Sequence, residues 1–139
     1  MSAVARFYSS TAIKTTITGS INTTATSITL ASISGYPTSF PFSIVLEKDT
    51  ANEEIVSVTA ITGSTYTVTR AFDGTTGRTH AAGTTAEHAV SAVDYTLSRS
   101  HEAAAANVHD IGATSSVVGT LTAQTLTNKT LGGDLAAGG

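Results

Sequence analysis

The sequence predicts a mainly β protein: a small antiparallel barrel or sandwich, then a short helical neck and an extended C-terminal segment. Three observations carry this. Thr makes up about a fifth of the 139 residues, and a β-branched side chain favours strands over helices. Short apolar runs recur between Gly, Pro and Asp-Gly punctuation, as in chains of tight hairpins. Hydrophobic residues reach 40% while charged ones are only 12%, which is not the balance of a disordered chain.

Each element follows in order. Residues 1–11 have no strong pattern and read as an N-terminal arm that includes Phe7 and Tyr8. Ala12 to Thr18 reads as a strand broken by Gly19-Ser20. Ser27 to Ile33 reads as the next, with Ile28 and Leu30 on one face. Gly35-Tyr36-Pro37 is a turn, and Pro41 marks a boundary. Phe42 to Leu46 is an apolar strand that ends at the polar tip Glu47-Lys48-Asp49. Glu54 to Ile61 alternates, but both of its faces carry apolar residues, so it reads as covered on both sides. After Gly63-Ser64, residues 65–70 alternate Thr with Tyr66, Val68 and Arg70. Asp73-Gly74 is a strong turn signal. Residues 75–83 form a loop, and residues 84–92 form the sixth strand. The β domain therefore spans 12–93.

Composition changes at Asp94. Ala, Leu, Arg and Glu dominate up to residue 107, so 94–109 is assigned as a helical neck. From 110 to 139, small polar and aliphatic residues mix. Val117, Leu121, Leu126 and Leu131 have too little chain around them to make a core. They need a partner surface, and copies of the same chain are the simplest supplier. A homotrimer wound about a shared axis is expected, with these four residues at the interface.

Several functions are disfavoured. Net charge is −3 and the basic residues are scattered, so no stripe neutralises nucleic-acid phosphates. Absence of Cys removes disulfide frameworks and thiol nucleophiles. No run approaches the ~20 apolar residues of a membrane helix. No nucleophile elbow or phosphate loop occurs. Glu53 and Glu54 are adjacent in a strand, so their carboxylates point to opposite faces and do not converge as a glycosidase pair. His101 and His109 lie eight residues apart, without the local spacing of a ligand pair, so no metal site is assigned. The chain is read as non-enzymatic and without a cofactor. Arg70, Asp73, Gly74, Arg78 and His80 are instead expected to form a structural clasp. Gly74 opens the turn, and the charged groups tie down a loop with little apolar content.

The same segment carries a resemblance. A strand ends in Thr69-Arg70, then come Asp73-Gly74-Thr75, Thr79-His80-Ala81-Ala82-Gly83 and a further strand to His88. This resembles a pattern in bacteriophage minor tail and other virion proteins, and departs from it at Ala71, where Gly is usual. Residues His109 to Thr120 resemble a junction in phage fibre proteins. Gln124-Thr125-Leu126-Thr127-Asn128-Lys129-Thr130-Leu131 resembles their shaft repeats. Gly133 to Gly139 resembles the opening of a further shaft motif, cut short. The resemblance covers residues 66–139, a little over half the chain. It implies a virion protein, and leaves open whether the natural chain continues past Gly139. The expected role is the attachment domain of a tail or baseplate fibre that docks on other virion proteins. A capsid decoration or head-fibre protein is the alternative. A carbohydrate-binding module for the host surface is the second, although Trp is absent and aromatics total 6%.

Overall fold

The computed structural model describes residues 5–103. The expected segment 110–139, with Val117, Leu121, Leu126 and Leu131, lies outside the described residues. Among the described residues there are six strands and one helix: β1 (Thr15–Thr16), β2 (Ser27–Thr29), β3 (Phe42–Leu46), β4 (Glu54–Thr62), β5 (Thr65–Phe72), β6 (Thr85–Ala89) and α1 (Ala92–Ala103). They form one antiparallel sheet in the order β1-β6-β3-β4-β5-β2.

That order puts β1 and β2 at opposite edges, yet the edges meet. Ile17 bridges Leu30. Thr18 N–H donates to Thr29 O and Ala31 N–H to Thr16 O, each at 2.8 Å. The sheet has curled until its first and last strands touch, which removes the exposed edges a flat sheet would present. Two register shifts in the β4–β5 pair, at Ile55/Ser57 and Val58/Ala60, supply local twist. The barrel-like expectation is met. β1 and β2 are shorter than the apolar runs suggested, because each pairs regularly for only two or three residues before the chain crosses to the closing bridge.

The interior follows the two-residue period of the strands. Phe42, Ile44 and Leu46 of β3 turn inward with Val56 and Val58 of β4, and with Tyr66 and Val68 of β5. Ile17, Ile28, Leu30 and Ala86 fill the remaining wall. Phe42 meets Tyr66 edge-on at 5.8 Å between ring centres, a favoured aromatic geometry. Each such large side chain contributes about 1.5–3 kcal/mol through burial. Tyr36 caps one end, and its hydroxyl donates to Ala86 O at 3.1 Å.

Loop conformations place the polar groups. Asp73 and Gly74 both have positive φ, 52° and 81°. Thr75 N–H donates to Phe72 O at 3.1 Å, the pattern of a type I′ turn. Ala71 also has positive φ, 51°. Gly35 has positive φ too, 74°, and a Cβ there would also lie 2.0 Å from Thr11 O.

Candidate functional site

The alternation that turns Val56 and Val58 inward also turns Glu54 inward, at the start of β4. Its side chain is fully buried. Five donors converge on it. Oε1 accepts from Arg70 Nε at 2.8 Å and Ala71 N–H at 2.9 Å. Oε2 accepts from Arg70 Nη2 at 2.7 Å, Arg78 N–H at 2.8 Å and His80 Nε2 at 3.0 Å. Burial by itself would raise the carboxyl pKa. The Arg70 guanidinium, the two backbone N–H groups and His80 outweigh it and hold the carboxyl at about 2.

Arg70 is satisfied just as fully. Besides its two bonds to Glu54, Nη1 donates to Asn22 O at 2.6 Å and Ala25 O at 3.3 Å, and Nη2 to Arg78 O at 2.6 Å. All five guanidinium hydrogens are thus committed. The pair gathers four stretches of chain, around residues 22–25, 54, 70–71 and 78–80. His80 is fully buried and anchored through backbone bonds in both directions with Ile21, at 2.9 Å each. An ionised Glu54 can only accept, so His80 Nε2 carries the hydrogen. The other ring nitrogen, Nδ1, faces Glu47 Oε2 at 3.7 Å. That is too long for a hydrogen bond, and neither atom has a hydrogen-bond partner.

Of the residues expected to form the clasp, Arg70 and His80 meet, through Glu54. Arg78 joins by its backbone N–H and C=O, not by its guanidinium. Gly74 supplies the turn. Asp73 stands elsewhere: its Oδ2 accepts Val93 N–H at 3.0 Å. A carboxylate there satisfies an open N–H in the first turn of α1 and complements the helix dipole. Glu54 is the hub that sequence reasoning missed. The signal was present: residues 54, 56 and 58 share one face, so a strand with Val56 and Val58 inside carries Glu54 inside too.

A second polar cluster lies on the outer face of the sheet. Ser43 of β3 pairs with Ser57 of β4, and both are buried. Arg6 covers them, donating to Ser43 Oγ at 2.7 Å and Ser57 Oγ at 3.4 Å. Its Nε donates to Asp94 Oδ1, and its guanidinium stands 5.0 Å from the Phe72 ring centre. The Arg6 and Asp94 side chains are only 6% and 3% exposed, so this is a buried ion pair. Asp94 also accepts Ser91 N–H at 2.7 Å and Ser91 Oγ–H at 3.2 Å. Asp94 reaches back to the Ser91 N–H, one half of a capping box, and α1 starts two residues before the expected neck. Burial pushes the Asp94 carboxyl up, but Ser91 N–H, the Tyr8 hydroxyl and Arg6 together hold it below its usual range.

The described part of the N-terminal segment therefore runs along its own sheet. Phe7 N–H donates to Pro41 O at 2.9 Å. Ser9 N–H donates to His88 Nε2 at 3.1 Å, while His88 Nδ1 faces Ser43 O at 2.9 Å. The ring accepts through Nε2, so Nδ1 carries the hydrogen. His88 also stands edge-on to Phe42 at 5.4 Å.

No family model matches this chain, and no curated protein matches it in sequence. Its chemistry is read from these two clusters. In the first, the carboxylate and the guanidinium are occupied by one another and by backbone. In the second, Arg6 joins the N-terminal segment to the helix. Both arrangements fasten loops and segments to the sheet.

Proposed function

We propose that this chain is a structural component of a bacteriophage particle: the attachment domain of a tail or baseplate fibre, acting as a homotrimer that docks on other virion proteins. The observation that carries the reading is the Glu54–Arg70–His80 hub. The segment that resembles minor tail and virion proteins, residues 66–88, places its Arg70 and His80 on one buried carboxylate. That gives the motif a holding role, as a virion part under load requires. The role is in packing and docking, without catalysis, cofactor, nucleic acid or membrane insertion. A capsid decoration or head-fibre protein of the same design is the alternative placement.

Gold labelling of intact particles with an antibody to this domain tests the reading. Label at the tail end supports the tail or baseplate placement. Label over the head assigns the chain to the capsid surface. Particles without label, from lysates that contain the chain, refute a virion role.

One observation favours a second reading, contact with a host-surface glycan. Phe7, Tyr8, Ser9, Thr11, Tyr36 and Thr38 help line an open groove of about 380 Å³ that has no charged side chain in its wall. Exposed rings beside hydroxyls suit a neutral sugar. Absence of binding across a glycan array removes this reading and leaves the structural one standing.

A further inference from the structure

His80 turns its two ring nitrogens towards two carboxylates: Nε2 to Glu54 Oε2 at 3.0 Å, and Nδ1 to Glu47 Oε2 at 3.7 Å. Nδ1 and Glu47 Oε2 are both buried, and neither has a hydrogen-bond partner. Buried polar atoms are satisfied in the great majority of folded proteins, so two such atoms face to face point to something shared. Glu47 stands just past the end of β3 with φ of 50°, in the left-handed region that non-Gly residues seldom adopt. Its other oxygen, Oε1, accepts from Thr84 Oγ1 at 3.3 Å. The side chain is thus turned in towards the hub from a strained backbone.

Charge identifies the shared group. Arg70 and the ionised Glu54 cancel one another. Lys48, the residue after Glu47, is bound to Asp49 at 3.2 Å. Among the described residues, His80 is therefore the one basic side chain in contact with Glu47. With hydrogen on Nε2 alone, the Nδ1 lone pair would aim at a carboxylate, acceptor against acceptor. A second hydrogen, on Nδ1, turns that opposition into a charge-assisted hydrogen bond and brings the cluster to neutrality. Such a bond closes to about 2.7–2.9 Å. The Glu47 side chain is 26% exposed and has room to rotate that far.

We propose that His80 is an imidazolium in the folded protein at neutral pH, clamped between Glu54 and Glu47, and that loss of its Nδ1 hydrogen in alkali releases Glu47 and loosens the 47–53 turn from the hub. The charged groups around the ring are Glu54 of β4, Arg70 of β5 behind it, and Glu47 after β3. Ile21 and Arg78 approach through their backbones. The clamp is a pH-sensitive fastener, and it stands or falls independently of the virion reading.

Nitrogen NMR of the labelled full chain at neutral pH tests it on the wild type alone. Hydrogens on both ring nitrogens of His80 are expected. A bare Nδ1, as in a neutral ring that accepts from a water, overturns the proposal. On raising the pH, the backbone resonances of residues 47–53 should move together with the loss of the Nδ1 hydrogen. Resonances that stay fixed through that loss overturn the release of the turn. Urea titrations of wild type and Glu47→Gln give a second readout. An unfolded His is mostly uncharged above about pH 7, so the folded wild type binds one proton more than the unfolded chain there. Its stability advantage over Glu47→Gln should therefore be complete below about pH 6 and shrink as pH rises, by up to about tenfold in the folding constant per pH unit. An advantage that holds constant or grows towards pH 9 overturns the clamp.

Discussion

Glu54→Gln keeps the shape of the hub and removes its charge. Arg70 is then a buried cation without a counter-ion, and the amide cannot accept from five donors. Breaking a buried pair from one side costs about 3–5 kcal/mol. The titration of Glu54 gives an independent figure. Folding lowers its pKa from 4.5 to about 2, which corresponds to about 3 kcal/mol of stability at neutral pH. The unfolded chain binds this proton more tightly than the folded one. The contribution is therefore complete above about pH 5 and is lost as pH falls from 4.5 towards 2. For a domain near 100 residues, 3 kcal/mol lowers the melting temperature by about 12–24 °C. Thermal melts of wild type and Glu54→Gln at pH 7, and again at steps down to pH 2.5, check both statements. The gap between the two proteins should be widest at neutral pH and shrink on acidification. Asp94 also loses stabilisation in acid, but it does so in both proteins and drops out of the difference. A gap under about 1 kcal/mol at pH 7, or one that does not change with pH, refutes the assignment of Glu54 as the hub.

Other substitutions test the backbone and the outer cluster. Ala71→Gly relieves a left-handed non-Gly residue, a strain of about 1–2 kcal/mol, and after the entropic cost of Gly should still raise the melting temperature by a few degrees. Gly35→Ala forces a Cβ into the Thr11 backbone and should destabilise by about 1–3 kcal/mol, seen as a lower urea midpoint. Arg6→Met leaves Asp94 buried and unpaired. It should cost about 3 kcal/mol, and hydrogen exchange should speed up in the first turn of α1 more than in β3 and β4.

Much of this fold was legible because each strand announces itself twice, by alternation and by the turn that follows. Gly63-Ser64 and Asp73-Gly74 turn where expected, and all six strands occur. The barrel closure was not legible: Ile17 and Leu30 meet only because the whole sheet curls, a property of no local window. Arg70 and His80 could be paired on grounds of charge and proximity in sequence. Asp73 could not be assigned, since proximity does not show which way a turn aims its side chain. Its partner, Val93 N–H, belongs to a helix that begins two residues before the composition changes at Asp94. The pairing of Ser91 with Asp94 was in plain view, but Arg6 was not. It sits in a segment without pattern, and its partners lie 37 to 88 residues away.

The Arg6–Asp94 pair has a mechanical consequence. It fixes the point where the chain enters the β domain beside the point where it leaves. A pull between Arg6 and Asp94 is therefore shared by one buried ion pair and by the bonds from Arg6 to Ser43 of β3 and Ser57 of β4. Tension applied at those two residues would load one corner of the domain, where Arg6 meets the helix and the middle strands together.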